Sequence, residues 1–190
     1  MKKCPDCNSD NIEKAEYVFH DAYKCNTCKK AFYEKITECC RNPIERYVFE
    51  FHNNVPKCVR IQCWNCGGCL EMNKPLSKAE FGERTTGEFS KENFLKWKSK
   101  KQSEENEIYK FTSYINFTNS NYYIHRTHLQ SVYWNNIRLL VLERDKNTCQ
   151  LCKTEEAKDV HHLTYKNLGN ETIDELISYC RACHDKVHGK

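Results

Sequence analysis

The sequence predicts an α+β fold assembled from small metal-stabilised modules, and three observations support this prediction. The chain has 190 residues, which is enough for one ordinary domain or for several very small ones. It contains 14 cysteines, most of which stand in pairs separated by two residues. These pairs cluster at 4–69 and at 149–183, with no cysteine between the two clusters. We therefore expect two metal-stabilised regions joined by a middle segment.

The composition argues against membrane-spanning, secreted and disordered chains. No run approaches the roughly 18 to 20 apolar residues that cross a bilayer, and the chain begins Met-Lys-Lys rather than with an apolar signal core. Aromatic residues make up 12% of the chain, whereas Gly and Pro number only 6 and 4. We therefore expect a soluble protein of the reducing cytoplasm without a membrane partner, in which paired cysteines bind metal rather than form disulfides.

The first predicted module spans residues 1–36. Two Cys-x-x-Cys pairs, 17 residues apart, supply four thiolates for one tetrahedral zinc ion: Cys4, Cys7, Cys25 and Cys28. A strand-like segment at 17–19 lies between the pairs. The arrangement resembles a zinc ribbon, whose metal stabilises a module too small for a large core.

A second ribbon-like module is predicted over residues 37–80, with alternating strands near 47–51 and 59–61. Cys40, Cys63 and Cys66 are its firmest zinc ligands. Adjacent cysteines are awkward joint ligands, so the fourth position stays open: Cys39 is the first choice, and Cys58, Cys69 and His52 are the alternatives. Otherwise Cys58 and Cys69 are ordinary buried thiols.

The middle region, 81–129, is predicted to be a helical or irregular linker. Ser90 is a plausible N-cap for a helix that begins at residue 91. The aromatic residues of 108–124 are too irregularly spaced to predict an element. From 131 to 144 the apolar residues recur near a helical period behind Ser131, so a helix should lead into the C-terminal region.

The C-terminal cysteines form two further pairs, 27 residues apart: Cys149, Cys152, Cys180 and Cys183. Four thiolates leave no open coordination position, so this zinc site should be structural. Together with the two N-terminal sites, the sequence predicts about three structural Zn²⁺ ions.

Four histidines lie between and after these cysteines. His161 and His162 are neighbours on a predicted strand, so their side chains point to opposite faces. His184 and His188 are spaced i, i+4 on a predicted helix that begins near residue 180, so both face the same way. Each pair alone is more often a set of solvated polar residues. Beside the paired cysteines, however, one strand histidine and two helix histidines predict a three-nitrogen metal site with open positions.

These ordered motifs resemble the zinc-stapled HNH endonucleases, and the resemblance covers residues 130–190. The matching motifs are Cys149-x-x-Cys152, Val160-His161-His162-Leu163, Asp174-Glu175-Leu176, Cys180-x-x-Cys183-His184 and His188, preceded by a helix with Trp134 and Arg138. In that family a β-hairpin followed by a helix holds one divalent metal ion. The resemblance implies a ββα-metal domain, with DNA as the partner.

By the same resemblance His162 is the general base that deprotonates water, and His161, His184 and His188 bind the catalytic ion, which would be Mg²⁺, Mn²⁺, Ni²⁺ or Zn²⁺. DNA phosphodiesters would be cut to 5′-phosphate and 3′-hydroxyl ends. Glu175 stands where the family has its asparagine, nine residues before His184. It is expected to brace the loop of the base, to reach the metal or to orient His162.

The formal charge of +4 does not by itself indicate DNA binding. A zinc ion held by four thiolates carries about −2, so three such sites would more than offset the excess of basic residues, and one catalytic divalent ion would return the net charge to about zero. DNA contacts are therefore expected from local basic residues: Arg138, Arg144, Lys166 and Arg181 near the HNH-like motifs, His125, Arg126 and His128 in the middle, and Arg46 and Trp64 among others in the N-terminal modules. The N-terminal zinc modules would place the enzyme on its substrate.

Two other functions fit parts of the pattern. The main alternative is a non-catalytic zinc-dependent nucleic-acid-binding protein, in which the HNH-like unit is only a scaffold. A thiol-redox or chaperone-type zinc protein would use the cysteine pairs but does not need the four histidines. No heptad repeat predicts a dimer, so the oligomeric state is left open. A phage, mobile-element or defence setting would each suit a nuclease.

Overall fold

Seven strands and five α-helices occur in the part of the chain that the computed structural model describes, residues 2–189. They belong to two units, Met1–Phe117 and Thr118–Lys190, which we call the N-terminal and C-terminal units. The mixed α+β composition agrees with the predicted fold class. The division differs from the predicted modules, because the N-terminal unit groups 1–36 and 37–80 with most of the middle region.

The N-terminal unit begins with a three-stranded antiparallel sheet in the order β1 (Ile12–Glu16), β2 (His20–Cys25) and β3 (Ala31–Lys35). The prediction of a strand at 17–19 is wrong. These three residues form the turn between β1 and β2, where Tyr17 N donates to His20 O over 2.9 Å.

A second hairpin pairs β4 (Glu45–His52) with β5 (Val55–Cys63), close to the predicted strands. Its two-residue loop consists of Asn53 and Asn54, both at positive φ (49° and 61°), as the tight turn of a hairpin requires. The short helix α1 (Lys78–Phe81) follows.

The middle region forms one long helix, α2 (Lys91–Thr118). Ser90 caps it as predicted, because the Ser90 hydroxyl accepts a hydrogen bond from Asn93 N over 3.2 Å. The helix has no continuous apolar stripe and buries only Trp97, Ile108 and Thr112. This explains why residues 108–118 gave no helical pattern in the sequence.

Polar contacts attach α2 to the first sheet. The Glu104 carboxylate accepts hydrogen bonds from Val18 N (3.0 Å) and Phe19 N (2.8 Å) and lies 2.9 Å from the Nδ1 atom of buried His20. Near its end, the Asn116 side chain both accepts from Ala31 N and donates to Ala31 O, each over 2.8 Å. The side chains of α2 thus extend the hydrogen bonding of the sheet.

The C-terminal unit begins with α3 (Asn121–His128) and α4 (Val132–Arg144), whose N-caps are Ser120 and Ser131. The helix predicted behind Ser131 is confirmed. Strand β6 (Asp159–His162) then pairs antiparallel with β7 (Leu176–Tyr179), and α5 (Arg181–Val187) follows directly. The core lies between α4 and this hairpin and contains Trp134, Ile137, Val141, Leu142, Ala157, Val160 and Leu176.

Among the described residues no helix is both long and apolar enough to cross a membrane. The longest one, α2, is rich in Lys and Glu.

Candidate metal centres and the buried histidine network

Three groups of four cysteines could each hold a zinc ion. Within each group the four sulfur atoms lie within 4.8 Å of one another: Cys4, Cys7, Cys25 and Cys28; Cys39, Cys40, Cys63 and Cys66; Cys149, Cys152, Cys180 and Cys183. Thiolates that share a tetrahedral zinc ion lie about 3.8 Å apart, as follows from Zn–S bonds of about 2.3 Å. The Sγ atoms are 3.6 Å apart for Cys4 and Cys28 and 3.9 Å apart for Cys40 and Cys63, so the spacing suits zinc.

Cys39 completes the second group, which the sequence left open. The chain bends sharply around Cys39 and Cys40, so both sulfur atoms reach the pair on the Cys63 turn. The rejected alternatives lie elsewhere: the Cys58 thiol donates to Glu50 Oε2 over 3.3 Å, and Cys69 and His52 are not in this group. Burial raises the pKa of the Cys58 and Cys69 thiols, as expected of inert buried cysteines.

In each group the pKa of one thiol is lowered, so that this thiol ionises first, whereas burial and hydrogen bonds with neighbouring thiols raise the pKa of another, namely Cys28, Cys66 or Cys183. A hydrogen bond from the Thr154 side chain, together with backbone N–H groups, lowers the pKa of Cys152 to about 6. The backbone N–H of Cys28 lowers the pKa of Cys25 to about 6. Burial opposes ionisation of Cys63, but the N–H groups of Cys66 and Ile44 outweigh it and bring its pKa to about 7.

A fourth candidate centre contains His161, His184 and His188, with one ring nitrogen from each within 4.8 Å of the others. The Nε2 atoms of His184 and His188 are 3.2 Å apart. Two imidazoles on one tetrahedral ion lie about 3.3 Å apart, since Zn–N bonds are about 2.0 to 2.1 Å. Strand β6 supplies His161, α5 supplies His184 and the C-cap residue after α5 supplies His188, so the three residues converge as the sequence predicts.

The surroundings favour neutral, metal-binding imidazoles in this centre. Burial lowers the pKa of His161, and the positive charges that His188 and His184 would carry lower it further. Burial also lowers the pKa of His184. The Asp159 carboxylate lies 3.7 Å from His184 Nδ1, where it can orient the ring of a ligand.

His162 points to the opposite face of β6 and is almost fully covered, with 4% of its side chain exposed. Its ring is stacked between Trp134 (centroids 4.6 Å apart, planes 14° apart) and Tyr165 (5.2 Å, 26°). Burial lowers the pKa of His162, although a hydrogen bond with Glu171 opposes this effect. The ring is therefore held in one orientation, and burial favours its neutral form.

Glu171 and His128 complete a buried network around His162. Glu171 Oε1 lies 3.1 Å from His162 Nε2 and 2.7 Å from His128 Nε2. Burial tends to raise the pKa of Glu171, but the backbone N–H groups of Glu171 and Gly169 and the His128 imidazole outweigh it, so its pKa is lowered. These three residues also offer ligand atoms within 4.8 Å. A separation of 2.7 Å is shorter than that of ligands sharing a tetrahedral ion. The pair does not have the geometry of a hydrogen bond, however, so His128 Nε2 and Glu171 Oε2 are both buried without a hydrogen-bond partner among the described residues.

The sequence did not predict this network. Glu171 was not singled out, and His128 was expected to contact nucleic acid, which its burial excludes. The two residues are 43 positions apart in the chain, and neither belongs to a periodic or spaced motif. Only the fold brings them together.

Glu175 braces the loop between β6 and β7. Its carboxylate accepts from Asn167 Nδ2 (2.6 Å) and from Thr172 N (3.0 Å), and its backbone oxygen accepts from Leu163 N (2.9 Å). It belongs neither to the three-histidine centre nor to the network of His162. The resemblance implies three alternative roles for Glu175, and its contacts are those of a residue that braces the loop.

The four basic residues near the HNH-like motifs differ in their surroundings. Arg144 donates to Asp145, Ile173 O and Leu176 O, so it stabilises the packing of α4 rather than facing a partner. Arg138 donates to Lys158 O. Arg181 is 71% exposed beside Asp159 and Asp185, and Lys166 is exposed in the loop after β6.

No family model, curated protein or solved structure matches this chain. The function must therefore be argued from the residues of the site itself.

Proposed function

We propose that the chain is a metal-dependent endonuclease of the HNH type, which hydrolyses DNA phosphodiester bonds to 5′-phosphate and 3′-hydroxyl ends. The observation that carries this proposal is the pair of neighbouring histidines on β6. His161 joins His184 and His188 in a three-nitrogen centre, while His162 is fixed against Glu171. A hairpin followed directly by a helix brings them together.

The three-histidine centre fits a catalytic metal rather than a structural one. Three neutral nitrogen ligands leave coordination positions for water and substrate, whereas the three groups of four cysteines are closed. A divalent ion bound there would offset the charge that develops on the phosphorus oxygens and on the leaving 3′ oxygen. Asp159 keeps His184 oriented for this task.

His162 is the general base in this proposal. The ionised Glu171 carboxylate accepts from the Nε2–H group, so the lone pair of the neutral ring lies on Nδ1. Nδ1 takes a proton from water as the oxygen attacks phosphorus and the bond from phosphorus to the 3′ oxygen breaks, and the leaving 3′ oxygen takes its proton from solvent water. The stacked rings of Trp134 and Tyr165 prevent the imidazole from turning.

A non-catalytic nucleic-acid-binding protein is the second candidate. The observation that favours it is the near-complete burial of His162, since a general base must reach a water molecule. In the N-terminal unit, the Arg46 guanidinium lies 4.1 Å from the ring of exposed Trp64, an arrangement that suits base and phosphate contacts.

A nicking assay on supercoiled plasmid distinguishes the two candidates. The parent protein is incubated with Mg²⁺, Mn²⁺, Ni²⁺ or Zn²⁺, in parallel with His184→Ala and His162→Ala. We expect the parent to produce nicked or linear DNA and His162→Ala to lose at least about 100-fold of the rate, which is the usual contribution of a general base. His184→Ala should also lose activity, because it removes one ligand of the catalytic ion.

His52→Ala is the matched control, because His52 is an exposed histidine outside every candidate centre. It should retain the parent rate. An inert parent with all four metals that still binds DNA would favour the second candidate, and a fully active His162→Ala would refute the assignment of the base.

A further inference from the structure

A cleft of about 430 Å³ opens beside His162 in the C-terminal unit. Residues of α3 and of the loop after β6 line it: Asn121, Tyr122, Ile124, His125, Tyr165 and Leu168. Its volume lies within the range of about 300–1,000 Å³ that is typical of ligand sites. The proposed reaction uses none of these side chains as ligand, acid or base.

The cleft is continuous with the surroundings of the proposed base. Tyr165 stacks on His162, and His125 meets the His162 ring edge-on with centroids 5.7 Å apart. His125 also meets Tyr165 edge-on at 5.3 Å. A molecule in the cleft would therefore lie one side chain away from the atom that deprotonates water.

The walls of the cleft are aromatic and exposed. Tyr122 is 61% and Tyr165 53% exposed, so much of each ring is available to a partner. Flat ligands such as nucleobases stack on such rings, whatever their sequence. Asn121 and the imidazole of His125 add groups that can hydrogen-bond the edge of a base.

The charge around the cleft suits a polyanion. None of the six lining residues has a carboxylate, and Arg126 lies next to them with its Nη1 donating to the Tyr122 hydroxyl over 2.8 Å. A pocket of about 300 Å³ in the N-terminal unit is different, because Glu38, Glu45 and Glu71 are among its lining residues. Of these two cavities, only the cleft beside His162 suits DNA.

We propose that this cleft binds an unpaired nucleobase of the DNA strand, next to the phosphodiester that is cut. The inference rests on the proposed function, which it deepens by naming the substrate class. In a continuous duplex each base is covered by its neighbours, so a stacking cleft takes up a base only from single-stranded DNA or after the base leaves the stack. The chain therefore selects single-stranded DNA, or the strand openings of a supercoiled plasmid, over an intact relaxed duplex.

The test uses a single-stranded oligonucleotide of about 15 nucleotides, within the span of known single-strand sites. It contains the fluorescent adenine analogue 2-aminopurine, whose emission falls when the base stacks. The full chain with His184→Ala keeps the DNA uncut, and the anisotropy of an end label reports binding. We expect 2-aminopurine emission to fall on binding to the single strand, and much weaker binding to the matching duplex.

Tyr122→Leu and Tyr165→Leu, each in the His184→Ala background, should restore the emission and weaken the single-strand Kd about tenfold. Tyr109→Leu is the matched control, because Tyr109 is 60% exposed on α2 in the N-terminal unit. Zinc content shows whether each variant is folded. If Tyr165→Leu does not fold, Tyr122→Leu alone tests whether the cleft binds the base.

Three results would overturn the inference: no binding of the oligonucleotide, binding without a fall in emission, or a fall that both leucine variants leave unchanged. Its failure is distinguishable from that of the proposed function. A parent that binds and stacks the base but cuts no DNA with any metal refutes only the nuclease, whereas a parent that cuts DNA without stacking a base refutes only the cleft.

Discussion

The carboxylate of Glu171 determines which nitrogen of His162 can act as a base. A neutral imidazole has one protonated and one unprotonated nitrogen, and a carboxylate beside Nε2 stabilises the form with the proton there. The Trp134 and Tyr165 rings then fix the plane in which the other nitrogen points. The hydrogen bond with Glu171, shielded from water by these rings, thus selects one tautomer of His162.

Replacing Glu171 by glutamine should separate this role from metal binding. Glu171→Gln keeps the size of the side chain but removes the charge that stabilises the imidazolium formed during the reaction. We expect the nicking rate to fall at least about 100-fold, while zinc content and DNA affinity stay at the parent values. Nicking kinetics and metal analysis of the same preparation check this.

Glu156→Gln provides the control for Glu171→Gln. Glu156 is an exposed carboxylate of the same unit, 3.7 Å from Lys158, and its loss should leave the rate unchanged. A Glu171→Gln protein as active as the parent would show that the base does not depend on this carboxylate.

The residues of the site differ in how far the sequence predicts them. Cysteine pairs and the i, i+4 histidines follow fixed spacings, so the ligands of all four candidate centres could be named from sequence, with only Cys39 in doubt. The spacing rule works because ligands of one metal ion must lie on tight turns or on one helix face. Glu171, His128 and the stacking partner Tyr165 obey no such rule, since packing alone brings them to His162.

The helix α2 shows that the sequence pattern also fails to reveal some secondary-structure elements. A helix is recognised in sequence by its apolar stripe, but α2 buries only three side chains over 28 residues. Its attachment depends on Glu104 and Asn116, which bond to the backbone around the first sheet. Hydrogen-bonding side chains at such positions look like ordinary solvated residues in the sequence.

Glu104→Ala should therefore destabilise the N-terminal unit. It leaves the N–H groups of Val18 and Phe19 and the buried His20 without their acceptor, and hydrogen bonds to charged groups are worth about 1.5–3 kcal/mol each. We expect the free energy of unfolding to fall by at least about 2 kcal/mol. Urea unfolding in the presence of zinc measures the change.

Glu107→Ala is the comparison for Glu104→Ala, because Glu107 is exposed on the same helix. A change within about 0.5 kcal/mol is expected for such a surface position. Equal effects of the two substitutions would show that the contacts of Glu104 contribute nothing to stability.

At the scale of the whole molecule, three candidate zinc sites stand where a larger apolar core would otherwise be needed. Each group of four cysteines lies at the centre of a small set of strands and turns, and the sulfur atoms themselves form part of two apolar clusters. Small modules of this kind fold only when the metal is bound. Loss of the zinc ions should therefore unfold the chain.

Metal analysis of the purified chain should give three zinc ions that resist dialysis, plus a more weakly held ion at the histidine centre. Cys149→Ala should remove one of the three, whereas Cys58→Ala should remove none, because Cys58 lies outside the three groups. A count of one zinc ion, or a loss of zinc from Cys58→Ala, would contradict the assignment of the N-terminal sites.

The pairing of β6 with β7 has a consequence for how the two neighbouring histidines acquire different tasks. They are the same amino acid and differ only in odd or even position along a pleated strand, with His161 opposite Ile177 and His162 opposite Leu176. A slip of the hairpin by one residue would exchange their faces. Two hydrogen bonds oppose that slip. Leu163 N donates to Glu175 O, and Arg144 donates to the Leu176 carbonyl. Backbone parity thus places the two imidazoles on opposite faces of β6, and the contacts of Leu163 and Leu176 preserve that placement.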